Sequence, residues 1–84
     1  MRNQFINIDF TKVEGYGKLT QNQKELFEDT YKIHNSIVGL DYKEDWTPIE
    51  VIWVEDRENK GYSYLKVIFK NGDWLHYTQK KEWY

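Results

Sequence analysis

Cysteine and alanine are missing from this 84-residue chain, proline occurs once and arginine twice. Without cysteine there is no disulfide, no thiolate ligand for a metal and no thiol chemistry, so the fold rests on packing alone. The same lack fits a cytoplasmic protein. No apolar run approaches the roughly 20 residues that cross a bilayer; the longest is Val51–Val54. Arg2-Asn3-Gln4 leads into an alternating segment rather than an apolar block, so no secretory signal is expected. The reading is a single small domain over 1–84, cytoplasmic, with no membrane segment. Ten lysines against two arginines, with no alanine, point to coding in an AT-rich genome, such as that of a low-GC bacterium, its phages or its plasmids.

Signatures of catalysis are equally scarce. There is no nucleophile elbow, no HExxH pair and no phosphate-binding glycine loop, since Gly15-Tyr16-Gly17 lacks a third glycine at the required spacing. The carboxylate pairs Glu44/Asp45 and Glu55/Asp56 fall in polar loops, where solvent gives both members the same environment and separates no pKa values. His34 and His76 stand alone and read as packing residues rather than metal ligands. The expectation is a non-enzymatic protein with no cofactor and no metal.

What the chain does contain is strong local punctuation. Residues 4–11 alternate, with Ile6, Ile8 and Phe10 on one side, and predict a half-buried strand. Thr20 with Gln23 three residues on forms a capping box. Leu26, Phe27, Tyr31, His34, Ile37 and Val38 then recur at helical spacing, predicting an amphipathic helix over 21–38 that Gly39 ends in a left-handed conformation. Ile49 to Val54 is apolar on both faces, as a covered strand requires. Two further apolar runs, 62–69 and 74–77, flank Asn71-Gly72, a pair suited to the two-residue type I′ turn of a hairpin. The fold class expected is α+β: a two-layer β-α-β-β-β domain. One amphipathic helix packs on a mainly antiparallel four-stranded sheet that ends in a C-terminal meander.

A two-residue turn sets the register. Lys66 would face Tyr77 and Ile68 would face Leu75 on one side of the hairpin, with Phe69 opposite Trp74 and Val67 opposite His76 on the other. With the second side under the helix, Tyr62, Tyr64, Lys66 and Tyr77 lie on an outer face, the kind of mixed aromatic patch that marks an interaction site. Either the face is free, or Trp83-Tyr84 or a second copy of the chain, as a homodimer, covers it. Trp46 sits in an acidic loop, where it either folds back on the core or anchors a partner. Charge is segregated as well: residues 41–59 carry −5 and residues 60–84 carry +3, which can steer a charged partner.

These features predict a small protein-binding domain. Its contacts are Tyr62, Tyr64, Lys66, Tyr77 and Trp46, with Asp41, Glu44 and Asp45 as an electrostatic rim. Size, coding bias and surface together resemble, in type, the small accessory proteins of phages and mobile elements that inhibit or redirect a host protein. The alternative is a single-stranded nucleic-acid binder, in which Tyr62, Tyr64 and Tyr77 stack bases and Lys66, Lys80 and Lys81 meet phosphates. Net charge of −2 weighs against it, because phosphate neutralisation dominates such affinity.

Overall fold

The computed structural model describes residues 8–84. The helix α1 spans Gln21–Ile37 and starts where the sequence places it. The Thr20 hydroxyl accepts from the Gln23 amide at 3.2 Å, and the Gln23 side chain accepts from the Thr20 amide at 2.9 Å. Two of the otherwise unpaired amides of the first turn are thereby satisfied. The other end closes differently from the sequence expectation. Gly39 has φ −62°, an ordinary extended conformation, and Val38 is the cap residue. In place of a left-handed glycine, the Lys43 side chain folds back and its ammonium donates to the Asn35 carbonyl at 2.5 Å and to Asn35 Oδ1 at 3.1 Å. A cation at the carbonyl end opposes the negative end of the helix dipole, and this lysine is only 5% exposed.

Three strands follow the helix: β1 (Pro48–Val54), β2 (Tyr64–Phe69) and β3 (Trp74–Thr78). They form an antiparallel meander in the order β1-β2-β3. With α1 packed on one face, the domain is α+β in two layers. The expected fourth strand does not form in its described part: Phe10–Lys12 is a short 3-10 turn, and residues 4–7 lie outside the described residues. A single parallel bridge joins the segment after that turn to β1. Glu14 donates to the Ile49 carbonyl at 3.0 Å and accepts from the Val51 amide at 2.8 Å. Gly15, at φ +89°, then turns the chain away from β1.

The β2–β3 turn is where the sequence places it, but the register is shifted by one residue. The Phe69 carbonyl accepts from the Gly72 amide, and the Phe69 amide donates to the Asp73 carbonyl, both at 2.9 Å. Gly72 has φ +92°. This is the three-residue loop of a type I turn closed by a left-handed G1-bulge glycine, the next commonest hairpin after the two-residue types. The pairs are therefore Ile68–Trp74, Val67–Leu75, Lys66–His76, Leu65–Tyr77 and Tyr64–Thr78. A shift of one residue turns every β3 side chain to the opposite face. Tyr77 goes to the core, and Trp74 and His76 go to the outer face.

The core lies between α1 and the inner sheet face. It comprises Phe27 and Tyr31 from the helix with Val51, Leu65, Val67, Phe69 and Tyr77 from the sheet. Val13 and Leu19 close it from the loop before the helix. Each buried aliphatic or phenyl side chain contributes about 1.5–3 kcal/mol, and truncating Phe27 to alanine costs about 3–5 kcal/mol. The helix stripe is shorter than its spacing predicts: it ends at His34 and Asn35, and Ile37 is 70% exposed. Asn35 donates to the Tyr31 hydroxyl at 3.0 Å, which donates to the Trp46 carbonyl at 3.1 Å. That chain ties the helix to the loop before β1. No helix among the described residues is long and apolar enough to cross a membrane.

The outer sheet face as a candidate partner-binding site

Alternation places Glu50, Ile52 and Val54 of β1, Tyr64, Lys66 and Ile68 of β2, and Trp74, His76 and Thr78 of β3 on the face away from the helix. The chain end adds one more aromatic ring. After β3 a second tight turn brings residues 82–84 back along the β3 edge. Thr78 donates to the Glu82 carbonyl at 2.8 Å, and His76 and Tyr84 exchange amide–carbonyl bonds at 2.9 and 3.2 Å. This turn repeats the geometry of the first, with Lys81 at φ 62° in the position Gly72 holds in the other. Trp83 consequently points inward, 5.1 Å from His34, and Tyr84 points outward.

The outer face carries a connected aromatic cluster centred on His76. The Tyr64 ring centroid lies 4.4 Å from His76, Trp74 lies 4.8 Å away, and Tyr84 stacks on His76 at 4.3 Å with only 9° between planes. The Lys66 ammonium sits 4.6 Å from the Trp74 ring centre, a cation–π contact. Trp74 is 44% exposed, Tyr84 69% and Ile52 39%. Large rings left this open in a small domain form the kind of surface on which interfaces concentrate their energy.

Of the residues read from the sequence, Tyr64 and Lys66 lie within this cluster. Tyr62 stands next to it in the β1–β2 connection, 72% exposed. Tyr77 does not belong to it: the residue is fully buried, with its hydroxyl 2.8 Å from His34 Nδ1. Neither the partner-contact role nor the base-stacking role expected of it is open to a residue inside the core. Trp46 takes the first of its two expected courses and folds back, 5.0 Å from Phe69 and 5.6 Å from His34. Asp41, Glu44 and Asp45 are exposed, and Glu44 and Asp45 stand beside the β2–β3 hairpin tip. There the Lys70 amide donates to the Thr47 carbonyl at 2.9 Å and the Asn71 amide to the Asp45 carbonyl at 3.1 Å. Glu44 pairs with Lys70 at 2.6 Å, a hydrogen bond that holds its carboxyl below the usual range. Of the alternative's lysines, Lys80 is exposed near Tyr84, whereas Lys81 turns to Asp29 at 3.3 Å.

Trp74, His76 and Ile52 are the outer-face residues that sequence reasoning missed, whereas Tyr84 belongs to the chain end expected as one possible cover of this face. The signal for Trp74 and His76 was parity. Lys70-Asn71-Gly72 fits a three-residue bulged loop as well as Asn71-Gly72 fits a two-residue one, and only the first turns Trp74 outward. The two histidines are separated by the sheet. His76 sits among the outer rings, while His34 is boxed by Tyr31, Trp46, Phe69, Tyr77 and Trp83. Burial pushes the His34 imidazole below its ordinary pKa and the Tyr77 phenol above its own. Both groups are therefore uncharged near neutral pH. Comparison with protein-family models, curated proteins and solved structures finds no match to this chain.

Proposed function

We propose that the protein is a non-catalytic protein-binding domain that works by laying its outer sheet face on a partner. The observation that carries this reading is the His76-centred cluster of Tyr64, Trp74 and Tyr84, open to solvent and continuous with Ile52. Such rings bury large area at low torsional cost. The exposed Asp41 and Asp45 of the loop before β1 add negative charge that favours a basic partner. A small phage or mobile-element protein that modulates a host protein by occupying its surface fits this device. The test is affinity capture from a bacterial lysate with the wild-type chain and with a Tyr64→Ser, Trp74→Ser double variant. The reading requires a stoichiometric partner retained by the first and lost by the second, while the amide spectrum shows both folded. A partner retained equally by both removes the outer face from the interface.

A second reading, single-stranded nucleic acid, draws on one contact: Lys66 lies against Trp74 on the same face as the tyrosines. It requires that a short oligonucleotide bind at low salt and dissociate steeply as salt rises.

A further inference from the structure

At the end of the sheet away from the β2–β3 turn lies a cavity of about 240 Å³, lined by Tyr62, Tyr64 and Tyr84 together with Lys80 and Glu82. It is smaller than the roughly 300–1,000 Å³ of pockets that take drug-sized ligands, so its occupant is small. The chain fixes its walls. The Thr78 amide donates to the Glu82 carbonyl at 2.8 Å and the Lys81 amide to the Thr78 carbonyl at 3.0 Å, a tight turn that carries Lys80 and Glu82 two residues apart. Tyr84 is held by its stack on His76 at 4.3 Å, and Tyr64 rests on the same imidazole at 4.4 Å. Gln79 donates to the Lys60 carbonyl at 2.7 Å and to the Ser63 carbonyl at 3.0 Å, tying the Tyr62 segment to the end of β3.

The neutral polar groups around the cavity are engaged. Gln79 occupies the two carbonyls, Ser63 Oγ accepts from the Asp56 amide at 2.9 Å, and Thr78 Oγ1 accepts from the Lys80 and Glu82 amides at 3.3 Å. The two charges are not: neither Lys80 nor Glu82 forms an ion pair among the described residues, even with the other. Tyrosine rings attract a cation over their faces, and the Glu82 carboxylate adds to that attraction. An ordinary ammonium or guanidinium brings N–H donors that need acceptors, and the carbonyls here are taken. A fully methylated ammonium carries the charge with an apolar surface and no N–H. Lys80 opposes a simple cation but matches an anion on the same ligand. A zwitterion therefore gives each of the five side chains a counterpart.

We infer that this cavity binds a small zwitterion in which a short linker joins a trimethylammonium group to a phosphate or carboxylate. The ammonium sits among Tyr62, Tyr64 and Tyr84 beside Glu82, and the anion meets Lys80. The wider charge agrees: residues 60–84 carry +3, which favours a ligand bearing an anion over a bare cation. Walls already held by the turn, the stack and the Gln79 clamp leave little to order on binding. The inference goes beyond the protein-binding reading and does not depend on it. Tyr62, Lys80 and Glu82 lie outside the His76 cluster, so variants at these positions leave Tyr64 and Trp74 in place for the capture experiment.

The test is titration of the isotope-labelled full chain with phosphocholine and with glycine betaine. The controls are choline, which lacks the anion, and 3,3-dimethylbutyl phosphate, in which carbon replaces the charged nitrogen. The inference expects saturable shifts at Tyr62, Tyr64 and Tyr84 and upfield shifts of the ligand methyl protons from the rings. It expects 3,3-dimethylbutyl phosphate to bind about tenfold more weakly than phosphocholine, and Tyr62→Ala to weaken phosphocholine by a similar factor while Tyr62→Phe keeps it. Lys80→Gln should bring phosphocholine down to the affinity of choline. Phosphatidylcholine vesicles form a second arm: sedimentation of the chain with them assigns a lipid head group, phosphocholine binding without it assigns a free ligand, and either supports the inference. Equal binding of phosphocholine and 3,3-dimethylbutyl phosphate, or saturable shifts with neither zwitterion, overturns it. Tighter binding of choline than of both zwitterions also overturns it, and tighter binding of a trimethyl-lysine peptide overturns it in favour of a modified protein. If the zwitterions fail while Tyr64→Ser, Trp74→Ser still loses the captured partner, this inference falls and the protein-binding reading stands.

Discussion

Gly15 and Gly72 form a matched pair that separates two physical costs usually measured together. Both adopt left-handed backbone, at φ +89° and +92°. An alanine at either position carries the same net backbone cost, about 1–2 kcal/mol with the gain from a stiffer unfolded chain included. At Gly72 an added Cβ meets nothing within 4 Å, whereas at Gly15 it would stand 2.2 Å from the Val51 carbonyl oxygen. To reach ordinary contact at 3.4 Å the Gly15 backbone must withdraw by about 1.2 Å. The two Glu14 hydrogen bonds to β1, at 3.0 and 2.8 Å, cannot stretch that far and survive. Two such bonds are worth about 1–3 kcal/mol together. Gly72→Ala should therefore cost about 1–2 kcal/mol and Gly15→Ala about 2–5 kcal/mol, against a total stability of about 4–13 kcal/mol for a chain this long. Urea unfolding followed by tryptophan fluorescence reads both, and hydrogen exchange at the Val51 amide reads the lost bridge. If the two variants agree within about 0.5 kcal/mol, or if Val51 protection survives in Gly15→Ala, the reasoning about the close approach is wrong.

Other consequences are testable by the same melts. Thr30 Oγ1 is buried with no hydrogen-bond partner among the described residues, so Thr30→Val removes an unsatisfied hydroxyl and should stabilise the fold by about 1 kcal/mol; a loss would reveal a partner for that hydroxyl. Lys81 carries a side chain at a left-handed position, φ 62°. Lys81→Gly should gain about 1 kcal/mol of backbone relief and lose about 0.5 kcal/mol with the exposed Asp29 pair, raising the melting temperature by a few degrees. His34 has a folded pKa depressed by burial, so the unfolded chain binds the extra proton first. The stability His34 contributes is fully present above pH ~6.5 and declines as pH falls below it, by at most ~1.4 kcal/mol per pH unit. Melts between pH 7.5 and 5.5 should show this decline in the wild type and lose it in His34→Gln; a flat wild-type profile refutes it.

Features governed by chemistry a few residues long were legible in the chain. The capping box at Thr20 and Gln23 acts across a single helical turn, and the helix begins at Gln21. Asn71-Gly72 marks a reversal because Gly72 tolerates positive φ, and the chain reverses there. The alternation of residues 64–69 gives a strand with Leu65, Val67 and Phe69 inward. Helix-on-sheet architecture follows from one amphipathic helix and a run of short strands.

Which face of β3 meets the helix was not written at that range. Either turn length satisfies Lys70-Asn71-Gly72. The choice is made by contacts far apart in the chain: the Tyr77 hydroxyl against His34, 43 residues away, and the Tyr77 ring against Phe27. These draw Tyr77 inside and leave Trp74 in solvent. The helix end shows the same division. Gly39 has the composition of a left-handed cap, but Lys43, brought round by the loop that Tyr31 and Asn35 anchor, reaches the Asn35 carbonyl with a charge. Turn sites, caps and periodicity are properties of neighbouring residues, and the sequence states them. The outer-face cluster of Tyr64, Trp74, His76 and Tyr84 depends on the parity of a strand. Parity is settled by the free energy of the whole packed core, so only the tertiary structure could decide it.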